Sequence, residues 1–195
     1  EEVRALFSGR LEVVSLTDIG CHEEIPETAD TLEGNALIKA RHVWERYGLY
    51  CFADDTGLEV DALGGAPGVY SARFAGEHAS FEDNVSLLLE RLSGVAAPRR
   101  AHFRTVIALI DEYGTHFFEG AVNGEITLER SGDHGFGYDP VFRPEGCQQT
   151  FAELSSEEKN AMSHRGRAVQ RLARYLHALP LRSEEHTSEL QSHYS

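Results

Sequence analysis

Between residues 33 and 47, apolar side chains return at three- and four-residue steps. Ala36, Leu37, Ala40, Val43, Trp44 and Tyr47 share one side of a predicted helix, which Gly48 is placed to stop. Val3, Leu6 and Phe7 fit the end of an earlier amphipathic helix, and residues 11–16 alternate with the period of a short strand. Residues 49–53 form a continuous apolar run, read as a buried strand that ends at Asp54-Asp55-Thr56-Gly57, and a glycine-rich loop follows at 64–68. Ser80 is placed to cap a helix carrying Val85, Leu88, Leu89 and Leu92. Residues 104–110 and the Phe117/Phe118 region predict paired strands turning at 112–114. A further strand is expected over 120–128 and a long flexible loop over 131–137. Ser155 and Glu158 form a capping box, and a last long helix aligns Ala168, Val169, Leu172, Tyr175, Leu176 and Leu179. Helices and strands in this mixture predict an α/β or α+β domain around a mixed sheet.

Composition narrows the function classes. The length of 195 residues suits one domain, and an apolar fraction of 41% supports a sizeable core. Acidic residues number 32 against 18 Lys plus Arg, for a net charge of −14 at pH 7. That balance argues against a nucleic-acid polymer as partner, which needs a dense basic face. No apolar run approaches the ~18–20 residues of a membrane span, so no membrane association is expected, nor is a signal peptide. Cys21, Cys51 and Cys147 are scattered, without a Cys-x-x-Cys pair, which favours a reducing cytoplasm over a disulfide framework or zinc knuckle. Residues 182–195 have no periodic apolar face and are expected to be a disordered or non-native tail, leaving 1–181 as the functional domain.

Within that domain the two carboxylates of Asp54-Asp55-Thr56-Gly57 offer a platform for Mg²⁺, one of them also able to draw a proton from water; a turn that caps the strand is the plainer alternative. The glycines on either side of Phe136 free it to swing over a ligand, with Asp139 able to accept from a base or sugar; a core-filling Phe in an ordinary loop is the alternative. The chain has only two lysines, Lys39 and Lys159. Lys159 is a point charge suited to phosphate, and His164 and Arg165 offer directional donors, although a solvated helix face would carry the same residues. The same plain reading applies to Glu27, Glu33 and Lys39.

Taken in order, the segments Thr31–Ala40 (TLEGNALIKA), Ala53–Leu58 (ADDTGL), Leu63–Arg73 (LGGAPGVYSAR), Gly135–Pro140 (GFGYDP) and Glu157–Arg165 (EEKNAMSHR) resemble the inosine triphosphate pyrophosphatase family, from about residue 1 to about residue 180. The resemblance implies Mg²⁺-dependent hydrolysis of non-standard purine nucleoside triphosphates (dITP, ITP, XTP) to the monophosphate and pyrophosphate. It implies Asp55 as general base and metal ligand, Glu27 as second acidic ligand, and Thr56 as a substrate contact. It further implies that Phe136, Gly137, Tyr138 and Asp139 stack on and read the purine, that Lys159, His164 and Arg165 grip the nucleotide, and that Lys39 meets phosphate. The implied fold is α/β: an elongated, mixed, twisted sheet flanked by helices, two lobes with a central active-site cleft, and a homodimer. The family opens with a strand and a Thr-Gly-Asn-x-x-Lys phosphate loop, and this chain is expected to start just past them. A nucleotide-binding domain without turnover is the alternative from another class. An aspartyl-phosphate phosphohydrolase would want Asp-x-Asp-x-Thr, and here the acids are adjacent.

Overall fold

A computed structural model of the chain describes residues 11–180. The helix expected around Val3, Leu6 and Phe7 and the tail at 182–195 lie outside the described residues. Among the described residues four strands form one sheet in the order β1 (Cys51–Val60), β2 (Arg100–Asp111), β3 (Gly114–Ile126) and β4 (Phe142–Pro144), with each of these neighbours antiparallel. Four α-helices accompany it among the described residues: α1 (Leu32–Tyr47), α2 (Phe81–Arg91), α3 (Ser156–Ala161) and α4 (His164–Ala178). The fold is α/β, a sheet flanked by helices.

Alternation along the strands decides which helix lies on which face. Cys51 and Ala53 of β1 pack with Ala108 and Ile110 of β2 under Ala36 and Ala40 of α1. Phe52 points the other way and joins Ile107 and Leu109 under Ala168, Val169 and Leu172 of α4. Farther along that second face, Leu58 and Val60 meet Val85, Leu88 and Leu92, together with Phe142 and Phe151, in the largest apolar cluster. His164 at the start of α4 stacks on Phe103, which in turn packs on Phe142 and Phe151.

Local signals set the helix ends. Thr31 caps α1 by accepting from Gly34 N, and Gly48 closes it in the left-handed region at φ 63°. Capping boxes at Ser80/Asp83 and Ser155/Glu158 start α2 and α3.

Four expectations are corrected. Residues 11–16 are not a strand: Ser15 and Asp18 instead bond each other's backbone in a turn. The strand at residue 51 does not end at Asp54. It runs through Asp54-Asp55-Thr56-Gly57 to Val60, because Ala101–Ile110 pairs with every position. Gly57 is therefore no turn; a Cβ there would meet Gly68 O at 2.5 Å, so glycine admits the 3₁₀ segment Gly68–Arg73 against the strand. The strands expected around Phe117 and over 120–128 are one continuous β3. The 131–137 loop is not free either: Ser131 N donates to Pro140 O, His134 N to Ala152 O, and Thr150 Oγ1 to Ser131 O.

Candidate active site

Adjacent residues on a strand face opposite ways, so Asp54 and Asp55 do not form a joint platform. Asp55 projects with Ala53 toward α1, while Asp54 and Thr56 project with Phe52 toward α4. The candidate residues consequently form two groups, one on each face of β1, meeting at the Asp55–Thr56 peptide. β1 is an edge of the sheet among the described residues.

On the α1 face, Lys39 Nζ lies 2.9 Å from Glu27 Oε1 and 3.6 Å from Asp55 Oδ1. One ammonium thus serves two carboxylates. The Asp55 side chain is only 11% exposed, and its Oδ2 is buried without a hydrogen-bond partner. Burial is the main reason its carboxyl titrates above the ordinary range; Glu27 adds to the lift, and Lys39, the Asn35 amide and the Thr56 backbone oppose it. Two carboxylates, one with a bare oxygen, fit a hard divalent cation that also takes oxygens from phosphate. No cluster of three or more His, Cys, Asp or Glu that could hold a metal exists among the described residues. The second acid beside Asp55 is Glu27, from a different segment, and not its neighbour Asp54.

On the opposite face, Thr56 Oγ1 and Thr105 Oγ1 share a hydrogen bond of 2.7 Å. Arg165 Nη2 reaches Asp54 Oδ1 at 3.5 Å. Lys159 Nζ pairs with Asp139 Oδ2 at 2.5 Å and lies 4.5 Å from the centre of the Phe136 ring, a cation–π contact. Phe136 is 68% exposed, an aromatic face turned to solvent, while its N–H donates to the same Asp139 oxygen. Gly137 sits in the turn at φ 59°. Tyr138 stands apart: its ring is buried in the core and its hydroxyl donates to Ser71 O at 2.7 Å, so only its backbone is left for a ligand. Burial, then Lys159, Arg165 and Arg167, pushes the His164 imidazole down to about 4, and its Nδ1 is buried without a partner. It is neutral at pH 7.

Three contributors escape a reading of the sequence. Asn35 accepts from Ala29 N and ties the segment after Glu27 to α1; an amide in the first turn of the helix, past its Thr31 cap, is the one signal for it. Ser71 accepts from Leu58 N through Oγ and from the Tyr138 hydroxyl through its carbonyl, joining the Phe136 loop to β1 just past Thr56. Arg104 bonds Glu33 at the start of α1, Glu59 on β1 and Glu119 on β3. The Arg104–Glu33 bond holds the Glu33 carboxyl below its ordinary range. A hollow of about 460 Å³ bordered by Arg100, His102, Asn123, Glu125 and Arg143 contains none of the candidates. Arg143 is already paired with Glu125, and His102 with Glu59.

Comparison with known proteins gives a consistent result. Residues 1–175 match the Ham1 family. A protein of Porphyromonas gingivalis named dITP/XTP pyrophosphatase is 60% identical over 175 residues, covering 90% of each chain. One of the same name from Flavobacterium johnsoniae is 53% identical, covering 88% of each. Among solved structures, a HAM1 protein from Coxiella burnetii superimposes with a TM-score of 0.84 at 39% identity, covering 91% of this chain and 92% of that one. A nucleoside-triphosphatase / dITP/XTP pyrophosphatase from Mycobacterium abscessus gives 0.76 at 46% identity, covering 88% of each.

Proposed function

The chain belongs to the Ham1 family, and we propose on that footing that it hydrolyses non-standard purine nucleoside triphosphates to the monophosphate and pyrophosphate. The observation that carries this reading is the buried Asp55 carboxylate, with one bare oxygen, held beside Lys39 and Glu27 and one residue from Thr56. Asp55 accepts a proton from water as the water oxygen attacks the α-phosphorus; the bond from that phosphorus to the α–β bridging oxygen breaks, and pyrophosphate leaves. A carboxyl lifted by burial is a better base for that step than an exposed one. Mg²⁺ held by Asp55 and Glu27 would bind phosphate oxygens and offset their charge. Lys39 shifts its pairing from the two acids to phosphate.

The purine lies against Phe136. Donors gather on this face of β1: Lys159, over the ring, and Arg165, beside Asp54, carry no acceptor atom, and Asp139 Oδ2 already serves Lys159 and the Phe136 N–H. Such a pocket suits a 6-oxo purine and leaves a 6-amino group facing other donors, a mismatch of the kind that discriminates by ~10⁴ or more. We further propose a homodimer, checked by light scattering against the 21.7 kDa chain mass. Cys21, Cys51 and Cys147 are free thiols, which suits a reducing cytoplasm.

The test is pyrophosphate release from dITP, XTP and dATP in the presence of Mg²⁺. Faster release from dITP and XTP is expected, and equal rates on all three would remove the specificity claim. Asp55→Asn lowers kcat by roughly 10²–10⁴-fold if it is the base; turnover at the parent rate would sink that assignment.

A further inference from the structure

Asn35 is wholly buried in the first turn of α1, and a buried amide is costly unless its polar atoms are engaged. Its Oδ1 accepts from Ala29 N at 2.9 Å, and that bond fixes the orientation of the amide, because only the oxygen can accept. Nδ2 therefore faces the other way. It has no partner, and neither has Asp55 Oδ2, an acceptor buried on the same face. Asn35 lies one helical turn before Lys39, whose ammonium is 3.6 Å from the other oxygen of the same carboxylate. Asn35 and Lys39 stand on successive turns of the helix that packs over this face of β1.

We propose that Asn35 is a positioning residue for Asp55: its oxygen holds the 27–29 segment that carries Glu27, and its N–H aims the carboxylate. One amide then sets the separation of the two acids that flank Lys39, so that neither can drift without the other. The proposal rests on the function proposed above for the role of Asp55, but the contact itself does not.

The two parts separate by exchange. Asn35→Asp keeps an acceptor for Ala29 N and replaces the donor with a second carboxylate facing Asp55. Its melting temperature should fall, and its kcat on dITP should drop about 10²-fold with a much smaller change in KM, as for a displaced catalytic group. Adding Asp55→Asn restores the amide–carboxylate pair with its ends exchanged, so the melting temperature should return toward that of the parent while activity stays lost. Strictly additive changes in melting temperature would overturn the pairing, and an Asn35→Asp enzyme with parental kcat would show that the amide serves only as a helix–loop strap. Should Asn35→Asp alone fail to fold, a folded exchange variant supports the pairing and an unfolded one overturns it. If the parent protein releases no pyrophosphate from any nucleotide, the functional reading fails, and the melting series still decides the contact.

Discussion

Protonating His164 works against its surroundings, because the ring is buried between Phe103 and three cationic neighbours. Its folded value of about 4 lies below the ordinary 6.5. An unfolded chain therefore takes up a proton near pH 6.5 that the folded chain refuses until about pH 4. The contribution is complete above the ordinary value and is lost as pH falls across that window. Urea unfolding of the parent and of His164→Gln between neutrality and about pH 5 isolates the effect. The parent should lose more stability on acidification than the variant, and parallel losses would refute it. On the proposed reading, the same burial presents the ligand with a neutral ring able to accept as well as donate.

Helix α4 depends on a single missing side chain in the strand beneath it. A Cβ at Gly120 would lie 2.0 Å from His164 O and 2.6 Å from Ala168 N, both backbone atoms that cannot turn aside. Gly120→Ala should push the start of α4 off β3, destabilising the protein by about 1–3 kcal/mol and moving His164 and Arg165 with it. Urea denaturation and dITP kinetics measured together check both consequences; unchanged stability would mean the helix yields freely. Element by element, what was legible in the sequence had local causes. α1, α2 and α4 announce themselves by apolar period, and Gly48, Ser80 and Ser155 by caps that act within a few residues. Asp54-Asp55-Thr56-Gly57 misled because its composition is that of a turn, whereas pairing with residues some fifty positions later holds it straight. Gly120 reads as the start of a separate strand and is in fact where α4 crosses a continuous β3. Glu27, Lys39 and Asp55 were legible as candidates through family resemblance, but the opposite orientation of Asp54 follows only from the strand's true length. Ser71 and Arg104 stayed hidden because their partners lie far along the chain.

At the scale of the whole molecule, a charge of −14 meets a ligand that is itself strongly anionic. On the proposed reading local chemistry overcomes that repulsion through the two lysines, Lys39 between two acids and Lys159 beside the exposed ring. On the same reading a divalent cation is the other means of offset. Chelation with EDTA should abolish pyrophosphate release and leave the melting temperature nearly unchanged, since no described cluster of three protein ligands clamps an ion into the fold. A large drop in melting temperature would instead make the ion structural.

The division of the site across the edge of β1 has a consequence for turnover. On the proposed reading the nucleotide straddles the strand, its base on the Phe136 side and its phosphates on the Lys39 side, so two modest holds are joined through one molecule and reinforce each other. Hydrolysis cuts that molecule between them. Each product keeps one hold and loses the advantage of the tether, so breaking the bond is also what lets both halves go.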